Sequence, residues 1–150
     1  MDAIGLSGAE WLAVLRIGLG LWWLESWRHK DKKGWFERGT GIAWAADVAA
    51  RHRWAAVRRG FDTVVAPRPR VIARVVVYAE LALGLGLVAG LLTPVALVGG
   101  LLLNLLYFTL MIHDWAEQGQ NAMMGLISLV ALFAMAWQTW SLDSAIGLFR

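Results

Sequence analysis

Five side chains in this sequence have the chemistry of a proton-handling site: Arg16, Glu80, Asn104, Tyr107 and Ser128. Each interrupts a run of apolar residues, where polar groups are expensive and default to functional candidates. An acid such as Glu80 can exchange protons when it is held beside hydrogen-bond donors, and Arg16, Asn104 and Tyr107 are donors. Depth brings them together. Thr93 and Pro94 form a tight turn; Glu80 stands about twelve residues before it and Asn104 about ten after, so at about 1.5 Å per residue the two lie at one level. Ser128 falls near that level, and the long side chain of Arg16 is expected to reach it. Asn104 and Tyr107 share a helical stripe with Asp114, and Asn121 shares one with Ser128. A second polar layer is expected at the other end, with Glu25 and His29 facing Asp114 and Asn121. The structural reading of the same residues is an Arg16–Glu80 ion pair, with Asn104 joining helices.

The elements that must position these groups are apolar helices. The chain of 150 residues is 59% hydrophobic and its mean hydropathy is +0.56, above an ordinary soluble domain. Apolar runs occupy positions 12–27, 71–92, 95–112 and 123–137. A hydrocarbon core of about 30 Å needs roughly 17–25 helical residues. The expected fold is therefore all-α: one domain over 1–150, an integral membrane four-helix bundle with spans at about 10–27, 71–92, 95–113 and 121–138. The first run reads as a mature helix rather than a cleaved leader, because it opens with Asp2 and Glu10 and carries Trp22 and Trp23. Ten tryptophans suit a membrane interface. Cysteine is absent, which excludes disulfides, zinc thiolates and iron–sulfur clusters within the chain. The three histidines lack ligand-like spacing, so no metal is expected.

Of the fourteen Lys and Arg, only Arg16 and Arg150 lie outside the stretch from Arg28 to Arg74. The positive-inside rule then places the 28–70 loop in the cytoplasm and both termini outside a multi-pass cell-membrane protein. Within the loop, 41–61 has helical composition with Trp54, Val57 and Phe61 on one side, and reads as one or two short interfacial helices. Its arginines fit anionic lipid better than nucleic acid, because the loop borders two spans. Ala82, Gly86 and Gly90, spaced by four, read as a surface for close helix approach. The segment 113–121 reads as the loop before the last span, with Asp114 and His113 ordinary loop residues.

The order of "LRIGLGLWWLESWRHK", "AELALGLGLVAGLLTPVALVGGLLL" and a terminal "SLD" resembles the DoxX/DoxD family of small four-helix membrane proteins, closest to the subgroup similar to the small subunit of thiosulfate:quinone oxidoreductase. The long basic loop departs from the compact members. The resemblance implies a quinone-linked subunit of a redox complex, with Arg16 and Glu80 at matching positions and no catalytic step assigned to either. A quinone needs an apolar slot, donors for its carbonyls and an acid near its head; Arg16, Asn104 and Tyr107 would donate and Glu80 would exchange protons. Electrons would come from another protein subunit. Two alternatives stand beside this: a structural anchor docking a peripheral enzyme through the basic loop, and a small-solute transporter, which would call for a homo-oligomer because four helices with few polar groups make a poor conduit.

Overall fold

The computed structural model describes residues 5–149 and is all-helical among them; Asp2 and Arg150 lie outside the described residues. Four long helices carry the fold: α1 (Gly8–His29), α4 (Pro69–Ala89), α5 (Thr93–Leu110) and α6 (Trp115–Phe133). Between α1 and α4 lie a π-helical turn (Gly34–Arg38), α2 (Thr40–Ala50), α3 (Ala55–Gly60) and a second π-helical turn (Phe61–Val65); α7 (Leu142–Ile146) follows α6. The long helices pack around one centre, α1 on α4, α5 on α6, α4 on α5 and α1 on α6.

Local chemistry sets the ends. Ser7 and Glu10 form a capping box at the start of α1. Pro69 opens α4, where a missing N–H costs nothing, and Gly90 closes it in the left-handed region at φ 66°. Asp114 is the N-cap of α6, accepting from the N–H groups of Ala116 (3.0 Å) and Glu117 (3.1 Å). That corrects the expectation of a loop over 113–121: a cap needs an acceptor, Asp114 supplies it, and the helix begins at Trp115. The helical ends also differ from the expected spans. α5 stops at Leu110 and α6 at Phe133, where Met135 adopts a left-handed φ of 52°.

Two helices, α4 and α5, are long and apolar enough to cross a membrane. Only 28% and 33% of their apolar windows are buried inside the molecule, so most of their apolar surface faces outward. Large apolar side chains point outward instead, among them Val75 (59% exposed), Leu102 (62%) and Phe133 (78%). The interior holds Leu19, Trp23, Leu87, Leu97 and Met124. A second cluster joins Ala45 and Ala49 of α2 to Leu110 and Met111, with Val57 and Phe61 packed against it. The expected stripe of the loop is thus split: Val57 and Phe61 pack inward, while Trp54 is 47% exposed.

Helix approach is governed by Gly20 and Gly84. A Cβ on Gly20 would lie 2.8 Å from the Val88 nitrogen, and one on Gly84 2.6 Å from the Leu24 side chain. Of the expected stripe, Ala82 is exposed, and a Cβ on Gly86 would lie 3.1 Å from the Leu91 carbonyl and meet Ala96 of α5 at an ordinary 3.7 Å. The α1–α4 contact therefore lies on a different face of α4 from the one the four-residue spacing suggested.

Candidate functional site

The antiparallel register fixed by Gly20 against Val88 and Gly84 against Leu24 puts Glu80 opposite Arg28 and Arg16 opposite Leu92. Arg16 and Glu80 are thus roughly 18 Å apart along the bundle axis by helical rise. The expected Arg16–Glu80 contact does not form, because α1 slides past α4 until its glycines meet backbone. Two separate polar poles result.

At the loop pole Glu80 is 1% exposed. Its Oε1 accepts from the Tyr107 hydroxyl at 3.0 Å, and its Oε2 is paired with the Lys30 ammonium. Lys30 also donates to the Ser26 hydroxyl at 3.0 Å and lies 5.2 Å from the centre of the Trp35 ring. The π-helical turn aims Trp35 inward; Gly41 leaves the room its ring fills, since any Cβ there would collide with it. Isolated π-turns are frequent at functional sites. Lys30, Glu80, Tyr107 and Asn121 form the polar side of a cavity of about 240 Å³, walled by Trp35 and Trp44. That is below the roughly 300–1,000 Å³ usual for small-molecule pockets, so it suits one ring rather than a large cofactor. Asn121 is buried and donates to the Glu117 carbonyl at 2.7 Å. Just outside, burial and then the charge of Lys30 pull the Lys32 ammonium below the usual lysine range, with Glu80 opposing both.

Of the sequence-derived site, Glu80, Tyr107 and Asn121 meet in this cavity. Asn104, one turn from Tyr107, is 1% exposed, and its amide nitrogen and oxygen have no partner among the described residues. Ser128 donates to the Met124 carbonyl of its own helix at 2.9 Å. The second expected layer is not one layer. Glu25 receives Arg28 at 2.7 and 2.6 Å on the exposed surface, with His29 beside it, while Asp114 is occupied as a helix cap. His52, in the loop between α2 and α3, is 1% exposed.

Lys30 is the residue that sequence reasoning missed. It stands in "RHKDKK", where every charge looks solvated; only the register of α1 against α4 singles it out.

The far pole is built from Arg16 and Asp143. Arg16, fully buried, donates to the carbonyls of Ala136 (3.2 Å), Thr139 (3.4 Å) and Trp140 (2.6 Å). Asp143, also fully buried, accepts from the N–H groups of Leu92 and Thr93 at 2.7 Å each, and its own N–H donates to the Gly90 carbonyl at 2.8 Å. A carboxylate on the first N–H groups of α5 is favoured by the helix dipole. The terminal Ser-Leu-Asp thereby clasps the Leu-Thr-Pro turn.

Among the described residues, no three His, Asp or Glu stand close enough to hold a metal ion. Comparison of the chain with known protein families, curated proteins and solved structures finds no match.

Proposed function

We propose that the chain is a multi-pass membrane subunit of a redox complex, and that the Lys30–Glu80–Tyr107 cavity receives a quinone headgroup. The observation that carries this reading is Glu80 itself: a carboxylate 1% exposed on a helix apolar enough to span a membrane, bonded to a phenol and an ammonium at the edge of a ring-sized cavity. The resemblance to the DoxX/DoxD family supports the same assignment. Lys30 and Tyr107 would donate to the quinone oxygens, and Trp35 and Trp44 would flank the ring. Reduction to the quinol consumes two electrons and two protons. The electrons would come from a partner protein's redox centre, and the protons would enter through Glu80.

All four long helices cross the bilayer in this account. α1 and α6 are less apolar overall because α1 carries Glu10, Arg16, Glu25 and Arg28, and α6 begins with Glu117, Gln118 and Gln120. Arg16 is turned inward and fully buried, which leaves the middle of α1 apolar toward lipid. The 28–70 loop is cytoplasmic by its positive charge. A cysteine at exposed Lys33 is expected to resist an impermeant thiol reagent in intact cells and react after lysis; equal labelling in both would reverse the topology.

The structural-anchor reading keeps one specific observation: both Glu80 oxygens already have partners. The test is a titration of the purified chain, with any co-purifying subunits, by a short-chain quinone while tryptophan fluorescence is followed. Saturable quenching that is lost in Glu80→Gln with assembly intact supports the quinone site. Quenching that is never saturable overturns it in favour of the anchor.

A further inference from the structure

A second cavity lies outside the Glu80 site. It is a groove of about 250 Å³ between the loop and α5, lined by Val57, Phe61 and Val65 on one side and Leu106, Thr109 and Leu110 on the other. Its walls present apolar surface. Along α5 it opens onto Val95, Val98, Leu102 and Leu106, spaced by three or four and exposed by 62, 42, 62 and 49%. One continuous apolar track therefore runs from the loop along the outer face of the helix.

Arg58 and Arg59 stand on α3 between the lining residues Val57 and Gly60, at the loop end of this track. His52, 1% exposed, donates from Nε2 to the Thr109 carbonyl at 2.9 Å and accepts at Nδ1 from the Trp54 N–H at 3.1 Å. Arg58 donates to the His52 carbonyl. The imidazole thus ties the arginine-bearing segment to α5 at a residue that lines the groove. Arg59 adjoins Gly60, which also lines it. Among the described residues no carboxylate lies within ion-pair distance of Arg58 or Arg59, whereas Arg28, Arg38 and Lys30 each have one. A cation pair without a carboxylate above an apolar track is complementary to one molecule: an acyl chain ending in a phosphate.

We infer that this groove is a binding site for an anionic phospholipid, its phosphodiester on Arg58 and Arg59 and one acyl chain along Phe61, Leu106 and Leu102. The guanidinium fork suits a phosphate better than an ammonium would. The inference rests on the membrane reading but not on the quinone site. The bound lipid joins α3 to α5 and so steadies the loop whose other end supplies Lys30 and Trp35 to the Glu80 cavity.

The experiment is native mass spectrometry of the full chain in non-ionic detergent, titrated with phosphatidylglycerol and with phosphatidylcholine of the same acyl chains. Phosphatidylglycerol is expected to bind more tightly, with the preference falling about fivefold for each arginine removed in Arg58→Gln and Arg59→Gln. The control pair Lys33→Gln and Arg38→Gln leaves it unchanged. Leu106→Trp, which fills the groove without touching a charge, weakens both lipids and serves if the arginine variants do not fold. Equal affinity for the two lipids overturns the site, as does an equal loss in the control pair, which would mean diffuse surface charge. Retention of a partner protein through Arg58 and Arg59, with no lipid preference, overturns it in favour of a protein interface. Release of the chain from membranes by alkaline carbonate would instead remove the membrane reading beneath it.

Discussion

The two poles of the bundle solve the same problem in opposite ways. Each buries a charge between helices, Arg16 at one end and Glu80 at the other. Arg16 is surrounded by backbone: three carbonyls of the segment after α6 accept from it, and Asp143 stands nearby on the N–H groups that open α5. Glu80 is surrounded by side chains, Lys30 and Tyr107, and opens on a cavity. Backbone partners cannot leave without unfolding a helix end, whereas side chains can exchange one partner for a ligand. The first arrangement suits a permanent fastening and the second suits a site.

The Arg16 pole also gathers the backbone strain. Leu92, Met135 and Trp140 have φ of 51°, 52° and 49°, a region that costs a non-glycine residue roughly 1–3 kcal/mol, and all three lie in segments that Arg16 or Asp143 binds. The largest expected effect is therefore here. Gly90→Ala would put a Cβ into Ser141 and close to the Arg16 guanidinium, at a left-handed φ, and should prevent accumulation of folded chain in membranes. Asp143→Ala should cost about 2–5 kcal/mol, since it strands two buried N–H donors. Thermal unfolding in detergent checks both. Wild-type midpoints would dissolve the contrast between a fastening and a site.

Next in size is the loop pole. Glu80→Gln leaves the partly buried Lys30 without its countercharge and should cost about 3 kcal/mol if the pair is structural alone. Lys30→Met in the same chain should then restore most of that loss, while Arg16→Met should not. Rescue by Arg16→Met would mean that the poles are not independent.

Smaller effects sharpen the packing. Gly84→Ala pushes on Leu24 and should cost about 1–3 kcal/mol, whereas Gly86→Ala should change the midpoint far less. Reversal of that order would contradict the α1–α4 register. Smallest is Tyr107→Phe, expected to remove about 1 kcal/mol with its single hydrogen bond while weakening quinone quenching more than stability.

These comparisons mark what the sequence makes legible. Helicity, the inward Glu80 and its company with Tyr107 follow from hydropathy, one tight turn and helical phase, whereas Asn121, expected in the second layer, joins them only in the structure. The turn at Thr93 fixes α4 against α5, so depths across that pair can be counted. No such turn joins α1 to α4; 39 residues intervene, and their register depends on where Gly20 and Gly84 let backbones touch. That is why depth counting alone draws Arg16 toward Glu80 and passes over Lys30. Asp143 was hidden for a related reason. Its partners, Leu92 and Thr93, are some fifty positions away, and a short polar tail carries no periodicity to place it.

The central claim is that Glu80 belongs to a site rather than to a fastening. Its most direct measurement is quinone binding and thermal stability on the same preparations of wild type, Glu80→Gln and Glu80→Gln with Lys30→Met. The account predicts that the double variant recovers the wild-type unfolding midpoint but still fails to bind quinone. Recovery of binding together with stability would contradict it and leave Glu80 as one half of an ion pair.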